Sequence, residues 1–292
     1  MIMTYDEMIL ALTTLNERQG IARIAAPHCS NLLHQLYKRN PDKEGFYNSI
    51  VAEYLKTRQI DFTPDDIHGY IDRYVQATND YMSVYWPPQR NPFKHQADFT
   101  SSIIPEMLCI MLKNIVKLSA NDLEVSAQKD LAIECIFAIA GGGLIHFKNK
   151  RVDVAVFKQC SISFNGKNVD LPIPLLAIEC KTNLDKNMLS GIEQSVGDLK
   201  KTFPDCCYYV VTEFSDVNVR TNYASSGIDE MYILRQQKRI EIRRNPDARK
   251  HINPKLLYEI VEGLNKNIQL LNADPKDLSF RMGNGKLIGR NI

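Results

Sequence analysis

The sequence predicts an α/β (α+β) fold, a central mixed sheet flanked by helices, behind a helical N-terminal region. Three observations predict it. The first half carries apolar residues at helical spacing. Beyond Arg151, runs such as Arg151-Val152-Asp153-Val154-Ala155-Val156-Phe157 alternate with the period of two expected of strands. Between two later strand-like runs lies one amphipathic stretch, Met188 to Phe203. A strand–strand–helix–strand core with helices before and after it gives a mixed sheet.

The elements follow in order. Thr63-Pro64-Asp65-Asp66 reads as a helix start, with Thr63 as N-cap, Pro64 at the first helical position and acids in the first turn. Ile67, Ile71 and Val75 continue that helix, and Pro87-Pro88 forbids its extension past Trp86. Residues 87–92 are the expected linker, dividing a helical N-terminal region (1–92, for DNA recognition or subunit contact) from a second domain (93–292). From Ser101 to Leu118, Ile103, Met107, Ile110, Met111 and Ile115 form an apolar face. Leu131 to Ala140 is a short apolar run ending at Gly141-Gly142-Gly143. Ile173 to Lys181 reads as a strand behind Pro172 and Pro174. Pro204-Asp205 ends the amphipathic helix, Cys206 to Phe214 and Met231 to Leu234 are strand-like, and Asn253-Pro254 opens a last helix.

Composition narrows the function class. The chain has 292 residues, 44% hydrophobic and 24% charged, which excludes disordered, collagen-like and disulfide-scaffold proteins. Its seven cysteines form no CxxC, and Cys109, Cys135 and Cys180 lie inside apolar runs as small hydrophobes. The histidines show no zinc-ligand spacing with cysteine, and a reducing cytoplasmic location is expected. No apolar run approaches the roughly 18 residues of a membrane span. Asp6 and Glu7 interrupt the N-terminus where a signal peptide needs apolar continuity. The net charge is only +2, but nucleic-acid binding depends on a local patch. Residues 235–255 supply one, with eight basic residues opposed only by Glu241 and Asp247.

The stretch that carries chemistry is Leu175-Leu176-Ala177-Ile178-Glu179-Cys180-Lys181, an apolar strand ending in Glu-x-Lys. On a strand, Glu179 and Lys181 share a face while Cys180 points into the core. Asp153 lies in the preceding strand, and pairing of the two strands would converge Asp153, Glu179 and Lys181. Two carboxylates and the Cys180 carbonyl suit Mg²⁺, which keeps several waters. A bound Mg²⁺ activates water and offsets charge on phosphate oxygens, with Lys181 orienting that water or neutralising charge. This is phosphodiester hydrolysis; the plainer alternative is a surface ion pair at a strand end. In Ala132-Ile133-Glu134-Cys135-Ile136 the same pattern lacks the cation, so Glu134 reads as structural. Asp170 competes as the upstream acid from the turn-like stretch 165–170, but a loop holds a metal less rigidly than a strand.

The run from Ala177 to Leu189 resembles the catalytic region of the heterodimeric type II restriction endonucleases of the BbvCI kind. So do Leu199 to Pro204, Tyr208 to Glu213 and Gly227 to Arg235. Ser102 to Glu106 and Val152-Asp153-Val154 are similar upstream. The likeness covers roughly residues 99–240. It implies a PD-(D/E)xK restriction-endonuclease-like core and Mg²⁺-dependent hydrolysis of double-stranded DNA at a short near-palindromic site, CCTNAGC-like, leaving 5′-phosphate ends. It also implies one strand cut per subunit beside a second, related nuclease subunit, with a homodimer as the alternative. Asp153, Glu179 and Lys181 take the catalytic positions. Val152 stands where the superfamily's name has proline. Glu106 falls where many such folds add a helix-borne acid to the metal site; it is equally read as a plain helix-start acid.

For DNA contact, Arg235, Gln236, Gln237 and Arg239 are suitable donors to base edges, while Lys238, Arg243 and Arg244 suit phosphates. Lys186 and Asn187 follow the catalytic strand and could touch the scissile phosphate. A methyltransferase is excluded, because Gly141-Gly142-Gly143 is no cofactor loop and Trp86-Pro87-Pro88-Gln89 lacks the catalytic tetrapeptide's polar start and final aromatic. A repair nuclease on the same fold and a non-catalytic DNA-binding subunit remain as alternatives.

Overall fold

The fold was analysed in a computed structural model, which describes residues 3–19, 26–84, 98–119, 122–138, 144–164, 166–218, 223, 226–271 and 283. The linker expected at 87–92, Tyr85, Trp86 and the glycines 141–143 lie outside the described residues.

The chain opens with α1 (Tyr5–Arg18), α2 (Pro27–Leu36), α3 (Glu44–Arg58) and α4 (Ile67–Val84). Asp6 and Glu7 form the first turn of α1, where Thr4 and Glu7 make a reciprocal capping box. Helix α4 starts later than Thr63 predicts. Thr63 to Asp66 closes a turn (Asp66 N–H to Thr63 C=O, 3.1 Å), and Asp66 is the residue whose carboxylate accepts from the Gly69 N–H at 2.9 Å. The short α5 (Asp98–Ser101) leads into α6 (Ile103–Ser119). The stretch Phe99–Ser119, whose most apolar 18-residue window has a mean hydropathy of 1.3, is long and apolar enough to span a membrane by length and composition, against the sequence expectation. However, 78% of its most apolar window is buried inside the protein, as for a core helix.

Then come β1 (Leu123–Ala138), β2 (Leu144–Phe164), β3 (Lys167–Leu184), α7 (Lys186–Thr202), β4 (Cys207–Ser215), β5 (Glu230–Ile233), α8 (Arg239–Arg244) and α9 (Pro254–Leu271). Among the described residues the five strands are ordered β1-β2-β3-β4-β5; β1 with β2 and β2 with β3 pair antiparallel, and β4 joins β3, and β5 joins β4, in parallel. Helix α7 supplies the crossover that a parallel β3–β4 pair requires.

Strand alternation divides the core into two layers. Val154, Val156, Ile178, Cys180, Tyr209 and Val211 face the layer that holds the N-terminal helices, α6 and α9. Ala155, Ala177, Tyr208 and Val210 pack with Leu189, Ile192, Val196 and Leu199 of α7. Cys206 lies in the α7 layer and Cys207 against the other, as adjacent strand residues should. Cys135, expected to be a buried hydrophobe, is exposed.

Candidate active site

The site forms where two strands part. The β2–β3 ladder ends at the pair Val154↔Ile178, and Asp153 is the next residue of β2. β1 stays paired with β2 on both sides of this point, through Ala127↔Val154 and Lys129↔Val152. Gln128, between those pairs, has a φ of 49°. A non-glycine residue seldom adopts this left-handed conformation, and such irregularities re-aim neighbouring side chains. Asp153 closes the fork: its Oδ2 accepts from the Cys180 backbone N–H at 2.7 Å.

Glu179, 8% exposed, stands on the α7 side of β3. Its Oε1 pairs with Lys181 Nζ at 2.6 Å, and the Tyr208 hydroxyl donates to Oε2 at 3.4 Å. Burial, together with the Glu179 charge, raises the Asp153 carboxyl above the usual carboxylate range, against the lowering effect of the Cys180 N–H. Burial alone would lower Lys181, but the Glu179 and Asp153 carboxylates outweigh it and hold the ammonium protonated. Burial and Glu179 push the Tyr208 hydroxyl up, so it acts as a donor. Two carboxylates and one ammonium thus share a half-buried fork with a formal charge of −1.

Among the described residues, no group of three or more His, Cys, Asp and Glu side chains is placed to hold a metal. A magnesium ion does not need one, because it is held by one or two carboxylates with waters completing the shell. Asp153, whose ionisation the neighbouring Glu179 charge disfavours, and Glu179 are the donor pair such an ion fits.

Glu106 is not part of this cluster. It lies in α6, in the layer on the other side of the sheet, and is 3% exposed. Its Oε1 accepts from the Tyr54 hydroxyl at 2.5 Å and pairs with Arg58 at 3.5 Å, and its Oε2 accepts from the Cys29 N–H at 2.9 Å. Both oxygens are therefore committed to tying α2, α3 and α6 together. Asp170 lies in β3 rather than a loop, opposite Ser161, whose hydroxyl donates to it at 2.7 Å.

The basic segment is only partly available to DNA. Arg235, 2% exposed, is paired with the buried Glu213 at 2.8 Å and donates to the Lys250 carbonyl at 2.6 Å. Gln237 is buried, bonding the Ala248 carbonyl and the Lys250 N–H. Both are structural where the sequence suggested base readers. Gln236 and Lys238 are exposed, as are Arg243 and Arg244 in the last turn of α8, and Arg239 is half-buried. Lys186 and Asn187 are exposed in the first turn of α7, which Asp185 caps by accepting from the Met188 N–H at 2.9 Å.

Sequence reasoning missed two site residues. Tyr208 was legible only through the parallel register that sets it beside Ala177, two positions before Glu179. Asn183 continues the Glu179–Lys181 alternation, and its buried Oδ1 has no hydrogen-bond partner.

A family model described as Bpu10I restriction endonuclease matches residues 96–267, more than half of the chain. No curated protein matches the sequence. Among solved structures, one described as the native BbvCI A2B2 tetramer at low resolution superposes with a TM-score of 0.62 and 24% identity, covering 84% of this chain and 96% of that one. That likeness shows the fold. The family match, over the residues that build the fork, shows that this chain belongs to the Bpu10I restriction endonuclease family.

Proposed function

We propose that the chain is one subunit of a type II restriction endonuclease that hydrolyses phosphodiester bonds of double-stranded DNA at a short near-palindromic site, CCTNAGC-like. The cut is Mg²⁺-dependent and leaves 5′-phosphate ends, with one strand cut per subunit. The observation that carries the reading is the convergence of Asp153 and Glu179 beside Lys181, in a chain of a restriction endonuclease family.

In this reading Asp153, Glu179 and the Cys180 carbonyl hold Mg²⁺. When bound, the ion lowers the pKa of a water and neutralises charge on the phosphate oxygens. Lys181 is an ammonium rather than a base, so it orients the water and offsets charge in the transition state. Tyr208 steadies Glu179. Lys186 and Asn187 approach the scissile phosphate from the start of α7, where helix dipole and free N–H groups favour an anion. Gln236, Lys238, Arg239, Arg243 and Arg244 contact DNA further along. Residues 1–92 serve DNA recognition or subunit contact, and the enzyme works in the cytoplasm.

A single Asp…Glu-x-Lys centre cuts one strand, so a duplex cut needs a second centre. The similar BbvCI structure is an A2B2 assembly, which supports a related, non-identical partner subunit. Mixing the Glu179→Ala chain with an intact partner should therefore give a nicking enzyme. Supercoiled plasmid should become open circle, with the nick always on one strand of the site. Full double-strand cleavage by that mixture would refute the reading, as would efficient site-specific duplex cutting by this chain alone.

A further inference from the structure

The β2–β3 hairpin runs past the rest of the sheet. β1 reaches β2 only up to Leu123↔Lys158, and β4 reaches β3 only from Leu176. From Gln159 to Ile173 these two strands pair with each other alone among the described residues. Partners across an antiparallel pair share a face, and neighbours alternate. Cys160, Ile162, Val169, Leu171 and Ile173 therefore lie on one face of the ribbon, and Gln159, Ser161, Ser163, Asn168, Asp170 and Pro172 on the other. This is the pattern of a sheet buried on one side. Yet Ile162 is 43% and Ile173 41% exposed, and none of the five apolar residues packs against either core layer.

The ribbon's two edges differ. The β3 edge carries Pro172 and Pro174, which cannot donate to an added strand. The β2 edge, Gln159 to Ser163, has neither a proline nor a charge, the guards that natural edge strands use against pairing.

We propose that this ribbon is where the chain binds a second copy of itself, β2 edge to β2 edge about a two-fold axis. Antiparallel pairing centred on Ser161 sets Cys160 against Ile162 of the copy and Gln159 against its Ser163. No like charges meet, and the apolar face continues across the junction. A two-fold contact demands this self-complementarity. The edge carries no charge pattern that would select a different chain instead. The proposal deepens the reading of the chain as a subunit of a multi-chain nuclease, since it supplies the like-with-like contact of such an assembly.

Sedimentation equilibrium of the full chain at micromolar concentration, without DNA or another subunit, tests it. The chain should be a dimer. Ile162→Asp and Ser161→Lys should each weaken the dimer at least about tenfold while leaving the far-UV circular dichroism of the folded chain unchanged, because both positions are exposed. Ser161→Cys should give a disulfide-linked dimer on mild oxidation that the unsubstituted chain does not, since the axis sets residue 161 against itself. A monomeric chain overturns the proposal, as does a dimer indifferent to both substitutions or a ribbon contact made only with a different subunit. Nuclease assays on the same preparations separate the two claims. A self-associating chain that never cleaves with any partner sinks the nuclease reading alone; an active enzyme whose copies do not associate sinks this proposal alone.

Discussion

Replacing Glu106 with alanine separates a structural acid from a metal ligand. The Arg58 guanidinium that faces it is buried, and the Tyr54 hydroxyl and Cys29 N–H also depend on its carboxylate. Removing one partner of a buried ion pair costs about 3–5 kcal/mol. Arg58 keeps neutral acceptors in Gln19 Oε1 at 2.8 Å and Asn16 Oδ1 at 3.2 Å, which favours the lower end of that range. A loss of about 3 kcal/mol is a large fraction of the roughly 5–15 kcal/mol that holds a domain folded. Urea unfolding followed by far-UV circular dichroism reads it directly. Glu106→Gln keeps an acceptor oxygen, so it should lose less stability and, once folded, should cleave within about tenfold of the unsubstituted enzyme. An unchanged urea midpoint together with abolished cleavage in Glu106→Ala would refute the reasoning and return Glu106 to the metal.

Buried His28 carries the pH dependence. Its Nδ1–H donates to the Phe99 carbonyl and its Nε2 accepts from the Tyr81 hydroxyl, a neutral ring whose pKa burial lowers to about 3. The unfolded chain takes up this proton below about pH 6.5 and the folded chain does not, so stability falls as pH drops from about 6.5 towards 3. By pH 5 the loss is about 2 kcal/mol. His28→Gln should flatten that slope, and equal slopes in the two proteins would contradict the assignment. Arg243→Ala with Arg244→Ala should weaken DNA binding and reduce its salt dependence by about one unit per lost phosphate contact, with unfolding changed by no more than about 0.5 kcal/mol each. Arg235→Ala should do the reverse, strongly destabilising the fold by leaving buried Glu213 with Arg249 as its remaining ion-pair partner. Asp153→Asn should inactivate the enzyme, while Asp170→Asn should stay within about tenfold, or roughly 1.4 kcal/mol; the opposite pattern would move the upstream ligand to Asp170.

What the sequence shows and what it hides follow from range. Local signals were legible: the amphipathic pattern of α7, with Leu189, Ile192, Val196 and Leu199 spaced by three and four residues, and the alternation that puts Glu179 beside Lys181 and turns Cys180 into the core. The helix start at Thr63 was misplaced because Asp65 and Asp66 offer competing caps, and it is Asp66 whose carboxylate accepts from the Gly69 N–H. The extent of β1 and of the β2–β3 ribbon was hidden because their polar positions read as turns until the partner strand is known. Asp170 is such a residue. Charge misled most. Arg235 and Gln237 look like DNA contacts in a basic segment, but Glu213, a distant acid inside an apolar strand, draws Arg235 into the interior. Arg58 does the same to Glu106. Sequence spacing cannot reveal a buried counter-charge many residues away.

The central claim is that Glu179 serves the reaction and not the recognition of DNA. It is tested most directly by the assembled enzyme carrying Glu179→Ala in this chain. The partner's own centre is inactivated by the corresponding substitution. Specific DNA binding is measured in Ca²⁺ and cleavage in Mg²⁺. The account predicts binding within about threefold of the unsubstituted enzyme, or roughly 0.7 kcal/mol, and no cleavage of either strand. Loss of specific binding along with cleavage in a folded protein, or residual cutting of the strand assigned to this chain, would contradict it.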